Sequence, residues 1–269
     1  MDSKSHRLLE KTSRTFLIPI MGMPEQLKDA VGSAYLCLRA IDEIEDHDAL
    51  TNADKIELLT GIASIFRRVD APLSGEALAK LLEPHSAELP EVSISIFEVA
   101  ELAPVEIRPT ILLTTADMAE AMAGWVRRGW RIGTEADLDE YTFDVAGRVG
   151  LLLSEIWRWS DAVDTDAELA VGFGRALQAV NIVRNRAEDL ERGADFFPDG
   201  WDPAQLIAYA RHKITLADEY MQLLPAGAIH DFCAIPLVLA KATLDAVEDG
   251  RQKLSREDVL NLVSSLDLT

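Results

Sequence analysis

The stretch Tyr35–Asp48, YLCLRAIDEIEDHD, opens apolar and closes with five acids in the seven residues from Asp42 to Asp48. Like charges this close repel, so such a cluster persists where water solvates it or where a cation neutralises it. Upstream, Leu27, Val31, Ala34, Leu38 and Ile41 recur at spacings of three and four, the period of a helix with one buried face. Read as one helix with Pro24 as its first residue, the segment places Tyr35, Arg39, Asp42 and Asp46 on a single stripe, with Glu45 beside it. Glu43 and Asp48 fall off the stripe and are expected to face solvent. An ordinary solvated acidic face would explain the acids alone. The apolar turns before them, and the presence of Tyr35 and Arg39 in the same stripe, favour a polar site facing an interior.

The same period runs outward along the chain. NADKIELLTGIASIFRRV (residues 52–69) repeats it, as do segments at about 104–131, 135–160, 165–192, 203–224 and 227–250. The 203–224 segment is well bounded: Asp202 can cap it, Pro203 opens it and Pro225 closes it. No alternating β-branched run suggests a strand. PLSGE, GWRIGTE and GADFFPDGWDP read as loops, and none has linker composition. The expectation is one all-α domain over residues 1–269, of roughly ten helices.

A second polar stripe lies in LQAVNIVRNRAEDLERG (177–193). Gln178, Asn181, Asn185 and Asp189 are separated by three, four and four, so they share one helix face, set among Leu177, Val180, Ile182 and Val183. Arg184 and Glu188 flank it. An exposed helix end laced by an Arg184–Glu188 pair is the plain alternative. It leaves two amides in an apolar setting unexplained, and a buried amide without partners is costly. Two helices that each offer oxygen ligands suggest a hard divalent cation, and magnesium prefers carboxylates, water and phosphate oxygens. A phosphorylated ligand follows, with diphosphate attractive as a leaving group whose charge the cation neutralises. The carbocation left behind needs a dry, apolar or aromatic cavity.

Bulk properties exclude other classes. The formal net charge is -20 and the isoelectric point about 4.6, so no basic face is available for nucleic acid. Arg127, Arg128 and Arg131 form a local basic patch, either a lip over a cavity or a helix end with cations at its negative terminus. Cys37 and Cys233 lack metal-site or disulfide spacing and read as reduced core thiols. Met118 and Met122 could line a tunnel or fill a core. No segment approaches the ~20 apolar residues of a membrane span, and the first residues lack the apolar run of a secretory signal. The chain is expected to be soluble and cytoplasmic, with at most transient membrane contact.

Four elements in order resemble the squalene and phytoene synthase family: SRTF (13–16), YLCLRAIDEIED (35–46), YTFDVAGRVGLLLSEIW (141–157) and LQAVNIVRNRAEDLERGADFFP (177–198). The resemblance implies an isoprenoid synthase helical bundle around a central cavity, which joins two prenyl diphosphates head to head with Mg2+. It implies metal ligation by Asp42, Glu45, Asp46 and Asp189, with Asn185 where the family usually has aspartate. It implies diphosphate binding by Ser13, Arg14, Tyr35, Arg39, Gln178, Asn181 and Arg184. Tyr35, Arg39, Asp42, Asp46, Asn185 and Asp189 are then the catalytic set. Asn185 can ligate through its carbonyl oxygen but adds no charge. One ion should therefore bind less tightly, and a single ionisation becomes an alternative. Its product would be a prenylated second small-molecule acceptor, non-isoprenoid and such as an indole, or a cyclised terpene. Reduction to squalene needs NADPH; no glycine-rich fingerprint indicates it, and this fold would not require one. A non-catalytic lipid carrier would need the cavity but not the acids.

Overall fold

The acidic stretch ends a long helix because its apolar residues recur on one face and its acids on another. The computed structural model describes residues 1–13, 16–191, 193–251 and 253–266. All regular structure among them is helical, in fourteen α-helical segments with one 3-10 turn and one π-helical turn. The chain divides into two units, Met1–Gly129 and Trp130–Thr269.

The first unit holds α1 (Ser3–Thr12), α2 (Leu17–Gly22), α3 (Glu25–Glu45), α4 (Asn52–Phe66), α5 (Gly75–Leu82), α6 (Glu91–Ile94), α7 (Ile96–Glu101) and α8 (Arg108–Arg128). Pro24 stands one residue outside α3, as its N-cap, rather than as its first helical residue. Val31, Cys37, Ile41 and Ile44 of α3 are sealed from solvent against α4, α6, α7 and α8. Burial of each such side chain contributes about 1.5–3 kcal/mol. Two buried serines spend their hydroxyls on neighbouring backbone: Ser33 Oγ donates to Val99 O at 2.7 Å and Ser93 Oγ to Ala40 O at 2.8 Å. Exposed ion pairs run from α1 to α6 and α7, with Glu91 taking Arg7 at 2.6 Å and Lys11 at 2.8 Å and Glu98 taking Lys4 at 3.2 Å. Met118 and Met122 of α8 are buried. The helix ends at Arg127 and Arg128, followed by Gly129 in the left-handed region with φ 63°. Arg128 stacks on Trp125 at 3.8 Å.

The second unit holds α9 (Glu135–Thr142), α10 (Arg148–Asp161), α11 (Ala167–Glu191), α12 (Pro203–Leu223), α13 (Ala228–Glu248) and α14 (Arg256–Ser264). α11 is its centre, packed by α9, α10, α12 and α13. Two glycines let backbones touch. A Cβ at Gly150 would lie 2.0 Å from the Ala170 carbonyl oxygen, and one at Gly174 would lie 2.1 Å from that of Ala146. The expected 135–160 helix is interrupted by a π-helical turn, Phe143–Gly147, between α9 and α10. Asp202 caps α12 as expected, accepting from Gln205 N at 2.9 Å. The helices that periodicity did not list are chiefly short ones, α1, α2, α5 to α7 and α14.

Candidate active site

In the first unit the predicted stripe lies on α3, where Arg39 pairs with Asp42 and Asp42 clusters with Glu45 and Asp46. Ser13 follows α1 and is buried; its Oγ accepts from Phe16 N at 2.9 Å. The Tyr35 hydroxyl donates to Thr12 O at 2.9 Å. Burial raises the Tyr35 phenol above its ordinary range, against the pull of Ser13 beside it. One turn on, Arg39 pairs with Asp42 at 2.5 Å and Glu43 at 2.6 Å. Glu43 is therefore half-buried and paired rather than solvent-facing, because it lies four residues from Arg39. Arg39 Nε is buried with no hydrogen-bond partner. Asp48 is exposed, as expected.

Asp42, Glu45 and Asp46 each bring a carboxylate oxygen within 4.8 Å of the others. Glu45 is buried, Asp42 half-buried and Asp46 exposed, so the cluster grades from protein to water. The Asp42 carboxyl is pushed up to about 6, first by burial and then by the Asp46 charge, while Arg39 pulls the other way. Three clustered hard oxygen donors, one of them raised by burial and by a neighbouring carboxylate, fit a small divalent cation in charge and in donor chemistry. Arg14 lies outside the described residues.

The second stripe lies on α11, within the other unit. Asp189 is buried, Gln178 and Asn185 are half-buried, and Asn181 and Arg184 are exposed. The two amides expected to be buried among apolar neighbours thus retain solvent, since the apolar residues between them face other directions around the helix. Arg184 Nε donates to Asn185 Oδ1 at 2.9 Å, and Glu188 pairs with Lys253 at 2.6 Å. Below the stripe, Arg186 stacks on Phe197 at 3.6 Å and reaches Asp195 at 3.4 Å. These contacts fasten the loop after α11.

Two groups in the second unit were absent from the predicted set. Tyr141, at the end of α9, is buried and stacks on Phe196 with centroids 4.6 Å apart. It opens the YTFDVAG element, and that position was the available signal. Just beyond it, buried Asp144 pairs with Arg148 at 3.0 Å, within and just after the π-helical turn. Separately, Asp139 takes the Tyr209 hydroxyl at 2.7 Å and Lys213 Nζ at 2.9 Å, while its backbone carbonyl takes Arg175 at 2.9 Å. No short motif announces that cluster, because its members come from three helices.

A squalene/phytoene synthase family model matches residues 9–201. Squalene synthase of Homo sapiens is 30% identical over 275 residues, covering 92% of this chain and 64% of the relative. That of Bos taurus is 29% identical with the same coverage. The chain thus spans about two thirds of the length of these relatives, at 64%. Among solved structures, the complex of TcSQS with the ligand E5700 matches with a TM-score of 0.77 at 24% identity, over 97% of this chain and 84% of that one. A dehydrosqualene synthase in complex with ligand matches with a TM-score of 0.66 at 18% identity, over 97% of this chain and 93% of that one. The structural likenesses establish the all-α isoprenoid synthase fold.

Proposed function

Since this chain belongs to the squalene/phytoene synthase family, we propose that it is a magnesium-dependent prenyltransferase that ionises a prenyl diphosphate, farnesyl diphosphate first among candidates, and joins two head to head. The observation that carries this reading is the Asp42–Glu45–Asp46 cluster at the end of the stripe that also bears Tyr35 and Arg39, within the family-matched segment. Asp42, Glu45 and Asp46 would hold magnesium, and Asn185 and Asp189 are the corresponding ligands of the second motif. Bound there, the ion supplies neutralising charge to diphosphate as it leaves.

The chain's own groups orient and bind. Arg39 already spans two carboxylates, so a diphosphate would exchange an intramolecular pair for a stronger charge-assisted one. Ser13, Arg14, Gln178, Asn181 and Arg184 supply further donors in this reading, and Tyr35 holds the end of α1 in register through Thr12. The prenyl carbon–oxygen bond breaks with its electron pair leaving on the diphosphate. The double bond of the second prenyl diphosphate then attacks the carbocation, and the new cation formed on that chain is neutralised by loss of a proton. Water would quench that cation, so a dry apolar surround is required. Any step to squalene itself would draw on NADPH.

A second reading rests on Asn185, whose carbonyl oxygen is engaged by Arg184 and which adds no negative charge. It has one ionisation, followed by transfer to a different small acceptor or by cyclisation. Purified protein supplied with farnesyl diphosphate and magnesium, with and without NADPH, decides between them by mass spectrometry. A thirty-carbon product is expected. Fifteen-carbon products alone would replace head-to-head joining by the second reading, and Asn185→Asp would then be expected to change the product spectrum. Absence of diphosphate release would sink both and favour a lipid carrier.

A further inference from the structure

Residues 193–202, which lead from α11 to α12, are pinned at several points within the second unit. Gly193 turns the chain in the left-handed region at φ 81°, where glycine meets no steric cost. Ala194 N donates back to the backbone carbonyl of Asp189 at 3.0 Å. Phe196 stacks on Tyr141 with centroids 4.6 Å apart, and Asp199 N donates to Gly133 O at 3.2 Å. Trp201 meets the Tyr209 ring at 6.1 Å and 63°. Asp202 then caps α12. Phe196 and Phe197 are buried, although the segment has no regular structure of its own.

The Trp201 anchor leads into a buried polar set. The Tyr209 hydroxyl and Lys213 Nζ both meet Asp139 Oδ1, at 2.7 and 2.9 Å. The Lys213 ammonium also lies 4.6 Å from the Tyr209 ring centre. Tyr209 and Lys213 stand one turn apart on α12 and are both buried. Buried charges contribute little net stability compared with an apolar set of the same volume, because desolvation offsets their attraction. What they add here is register: a hydrogen bond to one carboxylate oxygen resists a slide that apolar contact tolerates. Asp139 and Tyr141 are two residues apart on α9, about 200° around the helix. One side of α9 thus anchors Phe196 through Tyr141, and the other anchors Trp201 through Asp139 and Tyr209. A slide of α12 against α9 would pull these anchors apart and strain the segment that begins at the Asp189 carbonyl.

We propose that Lys213 and Tyr209 are positioning residues for the reaction: by holding Asp139 they fix residues 193–202 as a seal at the Asn185–Asp189 end of α11. This inference rests on the proposed function. Asp189 is buried and is a metal ligand in that reading, and the cation formed on ionisation is lost wherever water enters. Lys213 and Tyr209 act through Asp139 and the segment, not on the substrate.

Native-state digestion with chymotrypsin, mapped by mass spectrometry, reads the segment without any substrate. Cleavage after Phe196 or Trp201 requires the segment to lift, and its rate follows the lifted population. The unmodified protein should resist at both bonds. Tyr209→Phe, which keeps the ring, and Lys213→Met should each speed cleavage there by about tenfold or more, the factor that loss of one charge-assisted hydrogen bond allows, at a temperature well below their melting points. Should Lys213→Met fail to fold, Tyr209→Phe alone decides. Lys241→Met breaks the pair with Asp218 between α12 and α13 and should leave the segment resistant. Turnover gives the second readout. With farnesyl diphosphate and magnesium, the two variants should release a severalfold larger share of hydrolysed fifteen-carbon product relative to joined or cyclised product. Unchanged cleavage, cleavage raised equally throughout the chain, or cleavage raised as much by Lys241→Met would overturn the proposal. Faster cleavage with an unchanged product ratio would reduce the cluster to a structural clasp and overturn its positioning role. If the unmodified protein released no diphosphate, the proposed function would fail and the positioning role with it, while digestion would still show whether Lys213 and Tyr209 hold the segment.

Discussion

Asp42 and Asp139 are two carboxylates that the fold drives in opposite directions. Asp42, crowded by protein and by Asp46, is raised from 3.8 to about 6. Between those values the folded chain holds a proton that the unfolded chain has lost, so acidification stabilises the folded state and the contribution vanishes as pH rises through 6. The metal-free protein is expected to gain melting temperature from Asp42 on going from pH 7.5 to 5.5, and Asp42→Asn should remove that gain while raising stability at pH 7.5. Magnesium should raise the melting temperature more at pH 7.5 than at 5.5, because protons compete for the same oxygens; an effect independent of pH, or unchanged in Asp42→Asn, would place the ion elsewhere. Asp139 is lowered, since Lys213 and Tyr209 outweigh the opposing burial. Its contribution is present at neutral pH and lost on acidification. Asp139→Asn should cost about 1–3 kcal/mol by denaturant unfolding at pH 7 and less in acid. The acids of the first stripe were legible because helical spacing alone places residues on a face. The exposure of Asn181 was not, because which neighbours cover a face depends on other helices. The Asp139 cluster joins residues as far apart in sequence as 139 and 213 and leaves no local pattern.

At the scale of the element, long amphipathic helices were legible to within a few residues: α11, α12 and α13 lie within the segments that periodicity marks. Caps were legible where side-chain chemistry is local, as at Asp202. Replacing it by Ala should cost about 1 kcal/mol, read as a shift in denaturation midpoint. What periodicity misses is an extra residue in a turn. The 135–160 run keeps its apolar pattern across Phe143–Gly147, yet the backbone widens to a π-helical turn there. Such turns recur at functional sites, and this one lies next to Tyr141. Close backbone approach is likewise invisible until the partner is known. Gly174 sits against the Ala146 carbonyl of that turn. Gly174→Ala should cost at least about 1–3 kcal/mol through overpacking, against a slight gain expected from helix propensity alone. A stabilised variant would mean that the two backbones are free to separate.

For the whole molecule, a net charge of -20 sets self-repulsion against compactness. Most ion pairs among the described residues lie at the surface and individually contribute little. Added monovalent salt is therefore expected to raise the melting temperature from its low-salt value by screening the repulsion, and a fall would show that the surface pairs dominate. No helix among the described residues is long and apolar enough to cross a membrane. The chain also carries two cysteines, both unoxidised and sealed from solvent. Cys37 lies in the unit Met1–Gly129 and Cys233 in the unit Trp130–Thr269. Burial pushes the Cys37 thiol up to about 12 and raises Cys233 further, so neither offers thiolate to an alkylating reagent while its unit is closed. Each unit thus contains its own single chemical clock. Pulse alkylation read peptide by peptide would time the opening of the two units separately in one sample: equal labelling rates would mean one cooperative event, and unequal rates would reveal which half yields first.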